Sequence, residues 1–459
     1  MQKLLATVAV VVGMFFAPAS WAETLADALI SAYKTSNLLD QNQALLRAAD
    51  ENVAVAMSKL RPVVNFAMQG SWRRYNNNTA SFSLPSPNYE SLDGSIGLTS
   101  NIVIYSGGRV KMGVELAKES VLATRAALIN VEQNVLLNAV SAYVDVRLQA
   151  EIVALRESNV RLIAQELRAA QDRFEVGEVT LTDVSLAEAR LAASQSGLAA
   201  AQGSLEIARE SFKATTGSYP QHLAGLPKLP KLPKTEDEAR NIAVKTHPSV
   251  IQAQHQAKLG ALQVGMAKAG YGPTVTGQVS LSNDLAGLTN LGVGISANQT
   301  LYSGGETSAL YRQALANKEA ADSGVHLAVV GVSQSVGAAW ANLMVAQSSI
   351  HAGAQQVEAA QKGFDGVREE ATLGARTTLD VLNAEQELLN ARASKLQSEA
   401  GRYVGAYQLL SAMGLLTVDH LNLGIPTYDP EAYYDAVKNA PSTSTQGKAL
   451  DRILEKVAN

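Results

Sequence analysis

The sequence predicts an α+β membrane protein built from two copies of one unit, each a helix, a β-hairpin, a very long helix and a further helix. Three observations predict it. Tyr105-Ser106-Gly107-Gly108 returns as Tyr302-Ser303-Gly304-Gly305, Gly177, Thr180, Thr182, Asp183 and Val184 return as Gly374, Thr377, Leu379, Asp380 and Val381, and Gly217 answers Gly414, all at an offset of 197 residues. No proline stands between Gly108 and Phe174, and Gly113 is the only glycine there; a continuous helix over that run approaches ~100 Å, too long for one globule. Four segments alternate apolar and polar side chains with the period of a strand that has one apolar face.

The elements follow in order. Lys3, the apolar run Leu4 to Ala17 and the small-residue pattern Ser20-Trp21-Ala22 predict an export signal over residues 1–22 and a mature chain starting at Glu23. The first repeat spans 23–217: a helix from about Leu25 to Leu60, strands around Val64-Phe66-Met68-Trp72 and Leu98-Ile102-Ile104, the long helix, and a shorter one from Leu181 to Thr215. In the long helix Leu148, Ile152, Leu155, Asn159 and Leu162 are spaced 4, 3, 4, 3, a coiled-coil seam with one polar step. Residues 218–235 form a linker, whose Leu-Pro-Lys repeats favour an extended path outside the helical wall. The second repeat, 236–420, has a helix from Glu236 to Lys268, strands at Thr274–Leu281 and Leu291–Asn298, a long helix from Glu306 to about Ala371 that six glycines from Gly324 to Gly366 are expected to weaken, and a helix from Leu379 to Ala412. Residues 421–459 add Tyr428, Tyr433 and Tyr434, then a loose tail from Pro441, with a short helix expected from Lys448 to Val457.

Composition excludes several classes. The net charge of −4, becoming −5 without Lys3, argues against nucleic acid, whose phosphates demand a basic surface. With no cysteine there is neither a disulfide framework nor a thiolate site. Beyond the signal no uncharged apolar run nears the length of a spanning helix, so none is predicted. His222, His247, His255, His326, His351 and His420 form no metal-binding or nucleophilic constellation, and Tyr-Ser-Gly-Gly lacks the spacing and lysine of a phosphate loop. Catalysis, cofactors and metals are therefore not expected.

The apolar strand faces cover either a soluble core or a lipid-facing wall. The export signal, strands near ten residues long and the lack of an apolar layer to oppose them favour lipid. Four strands cannot close a barrel, and an open sheet edge is prohibitively costly in a membrane, so several chains must contribute. Three chains would supply twelve strands and an open interior; two would supply eight and a filled one.

These stretches give the chain a named resemblance. The two Tyr-Ser-Gly-Gly segments, Arg173-Phe-Glu-Val-Gly-Glu-Val-Thr-Leu-Thr-Asp-Val184 and Leu373-Gly-Ala-Arg-Thr-Thr-Leu-Asp-Val-Leu-Asn383, in this order and duplication, resemble the TolC-like outer membrane efflux protein family from Glu23 through Leu415. The resemblance implies a homotrimer with a twelve-stranded transmembrane β-barrel, four strands per chain, continued by a periplasmic α-helical coiled-coil barrel with a mixed equatorial collar. It implies a passive outer-membrane export duct of a tripartite efflux or type I secretion system, opened at its periplasmic end by a periplasmic adaptor (membrane fusion) protein and an inner-membrane RND, ABC or MFS transporter. A structural or adhesive trimeric stalk without a lumen is the competing reading.

The resemblance also assigns residues. Asp380 matches a carboxylate of the pore constriction, and Asn383 stands at a second such position. Arg376, Thr182 and Asp183 match links that close the entrance, while Ala371 replaces a tyrosine partner, so closure is expected to lean on Arg376. Val176, Gly177, Glu178, Leu373, Gly374 and Ala375 would be adaptor-docking tips, and Gly107, Gly108, Gly304 and Gly305 strand-helix transitions. Read from the residues alone, Thr180 with Asp183 and Thr377 with Asp380 are helix capping boxes. From Pro62 to Tyr105 is 43 residues against 29 from Pro273 to Tyr302. The excess, around Asn76-Asn77-Asn78 and Pro85-Ser86-Pro87, suits an extracellular loop, and Trp72, Tyr75, Tyr89 and Tyr105 are candidates for interfacial rings.

Overall fold

The computed structural model describes residues 22–75 and 89–438, with Lys448 and Arg452 beyond them. The expected signal, the loop at Asn76–Asn78 and Pro85–Pro87, the side chains of Tyr75 and Tyr89, and most of the tail from Pro441, with its expected helix, lie outside the described residues. The elements are α1 (Leu25–Thr35), α2 (Asn37–Ser58), β1 (Val63–Tyr75), β2 (Tyr89–Tyr105), α3 (Arg109–Glu175), α4 (Leu181–Thr216), α5 (Glu236–Thr246), α6 (Pro248–Ala269), β3 (Thr274–Asp284), β4 (Thr289–Asn298), α7 (Glu306–Thr372), α8 (Thr378–Ala412) and α9 (Pro430–Val437).

The duplication reaches further than the sequence motifs. Helices α3 and α7 are both 67 residues long and begin 197 residues apart. Ahead of the hairpins, α1 and α5 are both 11 residues and α2 and α6 both 22, and here the offset is 211, from Leu25 to Glu236. The difference of 14 between the two offsets equals the extra length of the first hairpin.

Three expectations are corrected. Each helix expected ahead of a hairpin is two helices. Ser36 is extended between α1 and α2, and His247 between α5 and α6, where Pro248 disfavours a helical conformation for the residue before it. Both breaks pack against the glycine that ends a later helix: a Cβ on Gly217 would lie 3.1 Å from the Thr35 methyl, and one on Gly414 2.7 Å from the His247 Cα. Polar bonds repeat there too, from Ser31 Oγ to the Thr216 carbonyl at 2.9 Å and from Thr246 Oγ1 to the Met413 carbonyl at 2.8 Å. The second correction is that α7 runs unbroken through its glycines. A glycine inside a helix costs about 1 kcal/mol relative to alanine, which the remaining residues of a 67-residue helix outweigh. The third is that α7 contains an 18-residue window of mean hydropathy 1.3, long and apolar enough by composition to cross a membrane, although only 22% of it is buried. Ala, Val and Leu raise that average, while Ser333, Gln334, Ser335 and Asn342 interrupt the apolar run sought in the sequence.

The chain divides into two compact units. The first comprises Met1–Ser36, Val135–Lys231 and Asn342–Tyr407, and holds α1, α4, the C-terminal parts of α3 and α7, and most of α8. Ile163, Ala187 and Leu382 form one of its apolar clusters, and Phe364, Ala371, Val381 and Leu388 another. Ala187, Ser194, Ala201 and Ala208 are buried along α4 at heptad spacing, so small side chains line this coiled-coil seam. The Tyr143 hydroxyl lies 3.0 Å from the Glu23 carbonyl and 2.9 Å from that of Ala224, which fixes Glu23 and the linker on α3.

The second unit comprises Asn37–Asn134, Leu232–Ala341 and Gln408–Asn459. Leu46 and Val53 of α2 pack on Ala117 and Val121 of α3. Helix α9 joins them through Tyr433, whose hydroxyl donates to Glu51 at 2.9 Å, and through Arg125 over the Tyr434 ring at 5.6 Å. All four strands form one antiparallel sheet in the order β1-β2-β3-β4. Its register aligns Phe66, Leu98, Leu281 and Leu291 in one row, with Val64, Ser100, Val279 and Val293 in the next. On the other face Thr99 stands between Asn65 and Ser280, while Asn101 meets Gln278.

Candidate functional site

The helical turnarounds are built twice by the same local chemistry. Helix α3 ends where the Glu178 N–H reaches the Arg173 carbonyl at 2.9 Å and the Gly177 N–H that of Phe174 at 3.0 Å. Helix α7 ends likewise, Ala375 to Glu370 at 2.9 Å and Gly374 to Ala371 at 3.2 Å. This crossed pair of bonds needs a left-handed residue just past the helix, and Gly177 and Gly374 supply it at φ of 78° and 77°. The next helices open on the expected capping boxes. The Asp183 carboxylate accepts the Thr180 N–H at 3.0 Å while Thr180 Oγ1 accepts the Asp183 N–H at 3.3 Å, and Thr377 with Asp380 matches this at 3.0 and 3.2 Å. At the tips Val176 is 72% and Leu373 81% exposed, and Gly177, Glu178, Gly374 and Ala375 are exposed beside them.

Asp183, Arg376, Thr180 and Thr377 line one cavity of about 520 Å³ between the turnarounds. Arg376 Nε pairs with Glu370 at 2.8 Å, a partner that sequence reasoning missed. That bond raises the Arg376 pKa, with the Glu370 charge and then Asp380 adding to it. The bonds from the Thr377 backbone and hydroxyl hold the Asp380 carboxyl below its ordinary range, so it is ionised at neutral pH. Thr182 is exposed, and Ala371 is buried, its carbonyl accepting from Arg173 at 3.5 Å. Asn383 is exposed and accepts a hydrogen bond from Arg190 of α4 at 2.9 Å, a further contact that spacing did not reveal.

One turn along α8 the arrangement becomes buried. Glu385 Oε1 accepts from Asn159 Nδ2 at 2.6 Å, so the polar step of the α3 seam meets a carboxylate. The signal was present in the sequence: Glu385 interrupts the apolar stripe Val381, Leu382, Leu388 and Leu389, all buried.

At the strand-to-helix junctions the glycines carry consecutive positive φ angles, 61° and 82° at Gly107 and Gly108 and 62° and 95° at Gly304 and Gly305. The preceding serines cap the rods, with Ser106 Oγ accepting the Val110 N–H and Ser303 Oγ that of Thr307, each at 3.4 Å. The apolar rows of the sheet are exposed: Phe66 is 69% and Val293 78% exposed, and no apolar layer among the described residues covers them. Trp72 and Tyr105 are also exposed.

A profile of the outer membrane efflux protein family matches residues 29–218 and 240–415. The chain belongs to that family. The outer membrane efflux protein BepC of Brucella suis is 34% identical over 429 residues, covering 92% of both chains. The outer membrane protein TolC of Escherichia coli is 28% identical, covering 63% of each. In fold, the crystal structure of the outer membrane protein VceC from Vibrio cholerae matches with a TM-score of 0.74 at 19% identity, covering 85% of this chain and 96% of that one. This efflux protein therefore resides in the outer membrane and extends into the periplasm. Members of the family are channel proteins rather than enzymes, and the adhesive-stalk reading finds no support among these relatives.

Proposed function

We propose that this efflux protein is a passive export duct, a homotrimer in which three copies of the four-stranded sheet close a twelve-stranded barrel around a polar lumen. One observation carries the reading: an open sheet with two free edges exposes predominantly apolar rows on one face and polar rows on the reverse face. A neighbouring copy satisfies the edges, lipid the apolar rows and water in the lumen the polar ones. The long helices continue the path as a periplasmic coiled-coil barrel. Residues 23–217 and 236–420 act as two equivalent staves, with 218–235 and the segment from 421 as their collar.

The turnarounds form the periplasmic entrance in this reading. Asp380 and Asn383 line its constriction, where one ring of carboxylates attracts cations more weakly than two would. Arg376 closes it, held by Glu370 where the family's tyrosine is missing, with Thr182 and Asp183 on the neighbouring turn. The exposed tips Val176–Glu178 and Leu373–Ala375 receive a periplasmic adaptor, which couples the duct to an inner-membrane RND, ABC or MFS transporter. Planar-bilayer recording of the purified protein tests the duct directly. Discrete conductance steps are expected, and a lipid-inserted protein that passes no current would end this reading in favour of a stalk.

A further inference from the structure

We propose that the contact between Glu385 and Asn159 is a proton-operated latch between α8 and α3, fastened while Glu385 carries a proton and released when it ionises. The proposal rests on the entrance reading only for its effect on conductance; the latch itself stands on geometry. Glu385 is 3% and Asn159 7% exposed. Of the two carboxyl oxygens, Oε1 accepts from Asn159, whereas Oε2 is buried without any hydrogen-bond partner. Ionised, this side chain would hold an unserved charge within the apolar stripe of α8, a costly arrangement.

The groups facing Glu385 are otherwise engaged. From α4, Arg190 donates to Asn383 at 2.9 Å; from α7, Arg368 pairs with Glu166 of α3 at 3.2 Å; within α8, Arg392 donates to Gln361 at 2.6 Å. Arg161 of α3 and Arg392 also line the cavity of about 360 Å³ beside Glu385, and their charges disfavour a metal cation there. A proton is the remaining cation that can serve Oε2. Burial, reinforced by the Glu166 charge, pushes the Glu385 carboxyl up to about 7 against the opposing pull of Asn159, Arg190 and Arg368. With a raised pKa the stability of the buried arrangement is fully present below the ordinary carboxylate range and is lost as pH climbs through about 7, because the cost of burying the charge outweighs the Asn159 hydrogen bond, which itself favours the ionised form. Asp380 and Asn383 lie on the same helix within about two turns, so a shift of α8 that hydrates the carboxylate moves them too.

Full-length protein in planar bilayers, recorded from about pH 6 to about pH 8, tests the latch. Open probability of the wild type is expected to rise about threefold or more across that range. Glu385→Gln keeps an acceptor for Asn159 but cannot ionise, and it is expected to stay at the low-pH level throughout. A flat wild-type profile, or a variant that tracks the wild type, overturns the proposal. Difference infrared spectra against Glu385→Leu give a readout independent of conduction and of the fate of the glutamine variant. A protonated-carboxyl band unique to the wild type must fade as pH rises through neutrality, and its absence at the acid end overturns the latch. If the wild type conducts at no pH, the duct reading fails and the infrared band alone decides the latch.

Discussion

Gly107 and Gly304 have almost the same backbone, φ of 61° and 62°, but different surroundings. A Cβ on Gly107 would lie 3.3 Å from that of Ala269, whereas nothing lies within 4 Å at Gly304. Gly304→Ala is therefore expected to cost about 1–2 kcal/mol through backbone strain alone, and Gly107→Ala measurably more in the same thermal-unfolding assay. Equal losses would mean that the contact with α6 is irrelevant. Arg376 and Glu370 form a second residue-scale test. If their ion pair holds the entrance, Arg376→Ala and Glu370→Ala each raise the closed-state conductance, and the double variant adds little to either. An isolated exposed pair would change nothing, since such pairs contribute under about 1 kcal/mol. These glycines were legible in the sequence because few other residues tolerate left-handed angles. Glu370 was not, because a pair six residues apart, one in the last turn of α7 and one in the turn beyond it, leaves no periodic signature.

Among the elements, the capping boxes should respond alike. Thr180→Ala and Thr377→Ala each remove an acceptor and an Asp anchor at a helix start, and each is expected to lower stability by about 1 kcal/mol. Helix α2 offers a pH test. Asp50 is buried beside Arg125, and neither carboxyl oxygen has a hydrogen-bond partner. Burial raises its pKa to about 6, with the attraction of Arg125 too weak to restore it. The stability it permits at acid pH is therefore lost as pH rises from the unfolded carboxylate range through about 6. Asp50→Asn should flatten that slope in thermal melts, and an unchanged slope would assign the titration elsewhere. The long helices were legible from proline-free runs. The breaks at Ser36 and His247 were not, because their shared offset of 211 differs from the 197 that reveals the repeat elsewhere. Pro248 alone could have warned of the second break.

For the whole molecule, strand alternation disclosed which residues share a face but not which rows align across the sheet. The register joining Phe66, Leu98, Leu281 and Leu291 depends on partners far apart in sequence, which no local pattern encodes. That row makes the sheet a piece of a larger wall. Val293→Arg is expected to oppose insertion by about 2–4 kcal/mol near the bilayer midplane, seen as less assembled oligomer in the membrane, while Gln278→Arg on the reverse face should assemble normally. The most direct measurement exploits the absence of native cysteine. Single substitutions Phe66→Cys, Val293→Cys, Asn65→Cys and Gln278→Cys, each labelled with an environment-sensitive fluorophore in lipid vesicles, report the surroundings of both faces. Labels at 66 and 293 should be quenched by lipid-borne quenchers, and those at 65 and 278 only by aqueous ones. Aqueous quenching at all four positions, or the reverse assignment, would contradict a lipid-facing barrel.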